Sequence, residues 1–288
     1  MFNAAIKHIS AVATAATLLA AANACGNSGN GSPEAVAMLD EARRLGESGL
    51  FDSSTVILDS LCKSFPTEID IVKEAMHLKA VTLEKSFTAQ LAETEKSIAE
   101  NAPVVQEIGS KFNVVKTPEM VEGYRILKSI SGKELLNRTD IEPRIDDGGN
   151  LYIVSLLNGH AVEHNRLRVA SKSGESAETA AIPYDKAQNY RFTDAGVSNE
   201  MVTFHYDECA DFCRFIADHT DTDLVLTFVG KSAFSMPLSA SMRNAIAESF
   251  RYSTAIRKGI EAEKTKLLLN KKIEIAKRQV EQTRPQND

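Results

Sequence analysis

The sequence predicts an α+β protein: a long antiparallel two-helix coiled-coil stalk, a β-rich head domain inserted between its helices, and a helical hairpin ahead of both. Three observations predict it. Apolar residues return at spacings of four, four and three from Val72 to Val105, an eleven-residue repeat of about 3.67 residues per turn that marks a long helix with little or slightly right-handed supercoil. Alternating and β-branched runs fill residues 113–236, the pattern of half-buried strands. Helical periodicity resumes after Pro237 and holds to about Thr283. Two long helices of similar length around a β-rich insert are most simply arranged as an antiparallel pair with the insert at its far end.

Residues 1–24 read as a secretory signal. Lys7 supplies the positive start, and Ala11 to Ala22, with Val12, Leu18 and Leu19, is an apolar run too short to span a bilayer. The next residues, Ala22-Asn23-Ala24-Cys25, resemble a bacterial lipobox, although Ala22 stands where leucine is usual and Asn23 is atypical at the second position. The resemblance implies lipidation of Cys25 as the first mature residue. The other reading is an ordinary cleavage after Ala24 with an incidental cysteine. Gly26 to Ser32 is rich in Gly, Asn and Ser, so residues 25–33 form a flexible tether of the kind expected between a lipid and a folded body. Gly26, rather than aspartate, follows the cysteine. By resemblance to proteobacterial sorting this implies the outer membrane, with the protein facing the periplasm.

The chain of 288 residues is 43% hydrophobic and 25% charged, an ordinary globular composition with room for one to two domains and a sizeable core. Its net charge of −6 argues against a nucleic-acid partner. Lipidation of Cys25 would leave Cys62, Cys209 and Cys213, an odd number that favours buried thiols over a complete set of disulfides.

Residues 34–66 carry Met38, Ala42 and Leu45 at packing spacings, Gly49 and Phe51 at a turn, Ser54, Leu58 and Leu61 on a second helix, and Pro66 as a stop. This resembles a single tetratricopeptide (TPR) repeat, with a frame from Ala35 to about Glu68; a generic helical hairpin is the other reading. One such unit cannot bury its own face, so the start of the long helix is expected to cover it. That helix, 67–112, presents Val72, Met76, Ala80, Leu83, Phe87, Leu91, Thr94, Ile98, Ala102 and Val105 on one stripe. Pro103 predicts a break at Ala102, with Asn101 as cap of a restarted helix.

Within the head, 113–236, strands are predicted at Tyr124–Leu127, Leu151–Leu157, Arg166–Ala170, Met201–Tyr206 and Leu224–Val229, with a hairpin tip over Gly174–Thr179. One short helix is expected over Glu208–His219, its apolar side holding Cys209, Phe212, Cys213, Phe215 and Ile216. The second stalk helix, 237–284, is capped by Ser239 or Ser241. It shows Met242, Ile246, Ile256, Ile260 and Leu267, then Leu269, Ile273, Ala276 and Val280, interrupted by Ser249, Ser253 and Glu263. A disordered tail, 285–288, follows. Glu68 to Glu107 holds about eight acids and four bases, and Arg257 to Arg284 about nine bases and four acids. Such complementarity favours pairing of the two helices and sets register more than stability. The alternative is that the basic helix faces anionic lipid or another protein.

Chemistry is sparse. His160-Ala161-Val162-Glu163-His164 spells H-x-x-E-H, the inverted zinc-peptidase motif, in which two histidines on one helix face hold zinc and the glutamate polarises its water. Here the motif follows a strand and an Asn-Gly turn and precedes another strand, so a surface loop with two histidines is the plainer reading. His205, Cys209 and Cys213 recur every four residues and could ligate zinc or copper; core cysteines are the plainer reading. Asp146-Asp147 and Asp218, Asp221 and Asp223 fall at turns, where aspartate is locally favoured and calcium is a second reading. Asp59-Ser60-Leu61 resembles a three-residue bacterial O-glycosylation sequon. The chain has no phosphate-cradling glycine loop, no G-x-S-x-G and no C-x-x-C. No cofactor is expected.

The layout as a whole resembles bacterial coiled-coil envelope lipoproteins. The resemblance implies a membrane contact through an N-terminal lipid and a non-enzymatic scaffold or protein-interaction role, with oligomerisation open through the stalk. A second expectation is a head that binds glycan or peptidoglycan fragments, with Tyr152, Tyr184, Tyr190 and Phe192 as its aromatics. A zinc-dependent hydrolase is third.

Overall fold

The computed structural model describes residues 31–118, 120–132, 135 and 138–285. The signal, Cys25 and most of the tether lie outside the described residues, as does the tail from 286. The chain forms two compact units, Met1–Leu78 and Lys79–Asp288, and the fold is α+β.

In the first unit, α1 (Pro33–Glu47) starts where Ser32 accepts a hydrogen bond from the Ala35 N–H at 3.3 Å and Pro33 occupies the first turn. The chain reverses at Gly49, whose φ of +78° suits a residue without Cβ, and enters α2 (Phe51–Ser64). The first turns of α3 (Ile69–Gly109) complete the unit. Ala35, Leu39 and Ala42 pack with Leu58, Leu61, Ile71 and Ala75. Ser54 is fully buried and donates to the Ala42 carbonyl at 2.7 Å, so this small residue brings α1 and α2 close while satisfying its own hydroxyl. Leu39, rather than Met38 or Leu45, is the central side chain of α1.

The second unit contains the rest of α3, ten strands, α4 (Tyr206–Asp218) and α5 (Ala240–Thr283). The expected break at Ala102 does not occur: α3 runs through Pro103 without interruption. Pro103 is on the solvent side, where the carbonyl it leaves unbonded reaches water, and contacts on either side hold the helix to α5. Lys111 pairs with Glu248 at 2.7 Å, Asn101 Nδ2 donates to the Ala255 carbonyl at 2.8 Å, Glu95 pairs with Lys266 at 3.2 Å, and Lys272 Nζ lies 5.3 Å from the Phe87 ring centre. Numbers fall on one helix as they rise on the other, so the two run antiparallel. Asn101 is therefore a link between helices and no cap. Asn101→Ala should lower unfolding free energy by about 1 kcal/mol, the net worth of such a bond, as read from the urea midpoint at unchanged slope.

The apolar stripes differ from expectation. On α3 the deepest positions of this unit are Ala80, Thr82, Ser86 and Asn101, while Ala102 is exposed. On α5, Ile260 and Leu267 are exposed and the supposed interruptions Ser249 and Ser253 are fully buried. The reason is that the first half of α5 is a core helix of the head. It packs on α4 and the first sheet, and Ser253 donates to the Gly149 carbonyl at 2.6 Å while accepting from the Leu151 N–H at 3.2 Å. The expected helix start at Pro237 is also corrected, since Pro237 lies in a strand and Ser239 caps the helix by accepting from the Met242 N–H at 3.2 Å.

The head has two antiparallel sheets. One runs β1 (Phe112–Val115), β2 (Tyr124–Leu127), β3 (Asp140–Ile145), β4 (Leu151–Asn158), β8 (Val197–Phe204), β7 (Asn189–Asp194); the other runs β10 (Ala233–Leu238), β9 (Leu224–Val229), β5 (Arg166–Ser171), β6 (Ser176–Glu178). Their inner faces share one core with α4 and α5, including Ile153, Phe204, Phe212, Leu226, Phe228 and Ile246. β4 is central and covered on both faces: Ile153 and Leu157 point into this core, while Val154 and Leu156 pack under Leu135 on the far side. That explains its near-continuous apolar sequence. β8 ends at Phe204, so Tyr206 belongs to α4 and not to the strand.

Candidate functional site

The H-x-x-E-H segment is the crossover from β4 in one sheet to β5 in the other. It is laced in place by backbone bonds: Lys231 N–H to the Val162 carbonyl at 3.0 Å and Asn165 N–H to the Val229 carbonyl at 3.0 Å. Its centre is Glu200, which stands on the core side of β8 beside Val202 and Phe204. The Glu200 carboxylate accepts from the Glu163 N–H at 2.6 Å and from the His164 N–H at 2.7 Å, and it bonds His164 Nδ1 at 2.8 Å. His164 Nε2 in turn lies 2.9 Å from Ser155 Oγ, which also reaches the Val202 carbonyl at 3.1 Å. Glu163 adopts a left-handed φ of +56°, a conformation held by these bonds and by its own pairs with Lys231 at 2.7 Å and Arg191 at 2.9 Å.

Serine, histidine and glutamate in hydrogen-bonded series have the connectivity of a hydrolase triad, yet all three are sealed: Ser155 and His164 are 0% exposed and Glu200 1%. Burial tends to raise the Glu200 carboxyl, but the bonds from the His164 ring and from the His164 and Glu163 N–H groups outweigh it and hold it below the ordinary glutamate value. In this state the array fastens a loop between two sheets.

The two motif histidines are engaged separately. His160 lies tilted against Phe234 with ring centres 4.0 Å apart, while His164 meets Phe228 edge-on at 5.3 Å. His205 caps α4 in a capping box, its N–H donating to Glu208 at 2.6 Å. Cys209 and Cys213 are thiols of the core; Cys209 Sγ bonds the Phe204 carbonyl at 3.4 Å, and burial pushes the Cys213 thiol well up. Among the described residues no three His, Cys, Asp or Glu side chains gather as a metal site. Asp146 spends its carboxylate on Asn150 N and Nδ2, at 2.7 and 3.0 Å, inside its own turn. Zinc or calcium is therefore expected to leave the melting temperature within error, and a rise of several degrees in a thermal scan would contradict this.

Concavities are present in both units. In the head, a cleft of about 400 Å³ opens at the start of α4, between Asn150, Tyr152, His205, Asp207 and Arg257. The Arg257 guanidinium covers the Tyr206 ring at 3.5 Å and donates to Asn150 Oδ1 at 3.2 Å. Burial raises the Tyr152 hydroxyl against the opposing effect of Arg144. Of the aromatics singled out in the sequence, only Tyr152 lines this cleft. Tyr190 and Phe192 stack on each other at 5.7 Å, and Tyr184 lies under Arg191 at 4.7 Å. In the first unit, a groove of about 550 Å³ lies between α1 and the start of α3, with Val36, Leu39 and Ile71 beside Asp40, Asp70 and Glu74.

Sequence reasoning missed Ser155, Glu200 and Arg257. A signal existed for the first two: Ser155 interrupts an apolar strand, and Glu200 has the same parity as Val202 and Phe204. Arg257 had none, because its role depends on α5 returning beside the β3–β4 turn.

Fold and sites together define a class: an α+β protein with a two-sheet head whose last helix pairs with an earlier one. No protein-family model, no curated protein and no solved structure matches this chain.

Proposed function

We propose that this chain is a lipid-anchored envelope protein, held at the outer membrane through Cys25 and facing the periplasm, that acts without catalysis as a scaffold binding a protein partner. The observation that carries the reading is the groove of the first unit, where Ile69 stays 63% exposed beside Val36 with carboxylates around it. An apolar floor with a charged rim is the make-up of a peptide- or helix-binding surface. The α1–α2 pair is read as a TPR-like hairpin, and the α3–α5 pair as a coiled-coil stalk that stiffens the chain. A non-enzymatic role is supported by the burial of Ser155 and His164, which leaves their polar atoms engaged with protein groups. No helix among the described residues is long and apolar enough to cross a membrane, so attachment through Cys25 is the route proposed.

A photo-crosslinking residue at Ile69 should capture a protein in intact envelopes, while one at Val225, exposed on the outer face of β9, should not. Capture from Tyr206 at the head cleft alone would move the binding surface to the head. Cys25→Ser should abolish incorporation of a fatty-acid label and shift the chain from the detergent to the aqueous phase; retention of label would end the anchoring proposal. A second reading, binding of glycan fragments, is favoured by one observation: the head cleft sets Tyr152 beside Asn150, Asp207 and Arg257.

A further inference from the structure

The outward face of α5 does not match its inward one. Leu269, Ile273 and Ala276 are buried. On the opposite side, Ile260, Leu267, Leu268 and Ile275 recur at helical spacing, and the last three are between 53% and 64% exposed. Lys264, Lys271 and Arg278 share that side and are exposed, and the carboxylates of Glu263 and Glu274 lie along one edge of it. Arg278 only brushes Glu274, at 4.0 Å on the edge of the face. This is an apolar helix surface on which positive charge predominates. It cannot pair with its own copy, because antiparallel pairing would set Lys271 against Lys271 and Lys264 against Arg278. Its partner has to be apolar and acidic.

The same chain holds such a surface. The first-unit groove offers Val36 and Ile69 with Asp40, Glu68, Asp70 and Glu74, against Arg43 alone as a base. Arg43 is already committed to Asp40 at 2.8 Å and Glu74 at 2.6 Å, and Asp70 stands almost wholly in solvent, 3.9 Å from Lys73. We infer that the groove receives the outward face of α5 from a second copy of this chain, a helix-in-groove contact between unlike surfaces. The inference rests on the reading that the hairpin groove binds protein, and it names that protein. Charge complementarity selects it over a lipid surface: the face is aliphatic without aromatic residues, and the acidic groove is present on every copy.

Sedimentation velocity of the full-length chain, carrying Cys25→Ser so that no lipid drives association, tests this. Association should depend on concentration and weaken with added salt. Reversing the helix charges (Lys264→Glu, Lys271→Glu, Arg278→Glu) or the groove charges (Asp70→Lys, Glu74→Lys) should raise the dissociation constant by about tenfold or more. Mixing the two reversed chains should restore association, since each supplies the surface the other has lost. Unchanged circular dichroism and melting temperature show that the variants fold. A wild-type chain that stays monomeric at every concentration overturns the inference, as does association indifferent to the reversals. Binding to anionic vesicles that the helix reversal removes, with no association in solution, assigns the face to lipid and overturns it too. If Ile69 crosslinks a different protein while the chain remains monomeric, the inference fails and the groove reading survives.

Discussion

Glu200→Ala should destabilise the head by about 3–5 kcal/mol, because one buried carboxylate makes three hydrogen bonds and each partner left unsatisfied costs about 1–3 kcal/mol. The carboxylate accepts from the Glu163 and His164 N–H groups and bonds the His164 ring, so its loss strands three polar groups at once. Glu163 would also lose the bond that holds its left-handed backbone. Glu200→Gln keeps the shape and one acceptor oxygen and should fall between wild type and alanine. Urea unfolding measures both, and a loss under about 1 kcal/mol for the alanine variant would show that the array contributes little. The pH dependence has a definite sign. Glu200 titrates lower in the folded protein than in the unfolded chain, so its contribution is fully present above the unfolded glutamate pKa of about 4.3 and is lost as pH falls through the folded value. Wild type should therefore lose stability in acid below that point more steeply than Glu200→Gln, which has no carboxylate to protonate.

Phe212→Ala is the second large effect, about 3–5 kcal/mol for a fully buried aromatic cut back to a methyl. Phe212 stands in the middle of α4, among Cys209, Cys213 and Ile216, where the inner faces of both sheets and the first half of α5 meet. Because α4 touches β4 on one side and β5 and β6 on the other, the cavity would open between elements that cannot close on it independently. Val225→Ala, on the exposed face of β9, provides the contrast and should stay within about 0.5 kcal/mol. If both variants unfold at the same urea concentration, the core does not run through α4.

Much of the scaffold was readable because its periods are local. Arg166 to Ala170 alternates in burial as its sequence does, with Leu167 and Val169 inward, and the helix of α4 shows its apolar side at Cys209, Phe212, Cys213 and Ile216. The strands that escaped notice are those whose pattern tertiary contacts overrule. β3 reads Asp-Ile-Glu-Pro-Arg-Ile, with charge and proline inside it. Yet Glu142 is 3% exposed because Arg144 Nε donates to it at 2.6 Å, and Pro143 is accepted opposite Ile153. β7 and β6 are short and polar and exist through pairing with β8 and β5. The boundary of the second long helix was misplaced for a related reason. Ser249 and Ser253 look like interruptions of a seam until the β3–β4 turn arrives to take the Ser253 hydroxyl.

The histidine motif makes the same point about function. Spacing alone set His160 and His164 four apart, as zinc chemistry on a helix requires, and the flanking strand and Asn-Gly turn already argued for a loop. What the loop does was decided by Glu200, thirty-six residues further along the chain from His164. By itself, then, the sequence determined the amino-terminal hairpin, the two long helices and the head between them, because hydrophobic period, proline, glycine and capping residues act over a few neighbours. Only the tertiary structure decided which face each helix buries, that the first half of α5 belongs to the head core while the helix pairs with α3, and that the Ser155–His164–Glu200 array lies sealed inside the core. Those outcomes depend on which distant surfaces meet, and burial, unlike periodicity, is a property of the meeting.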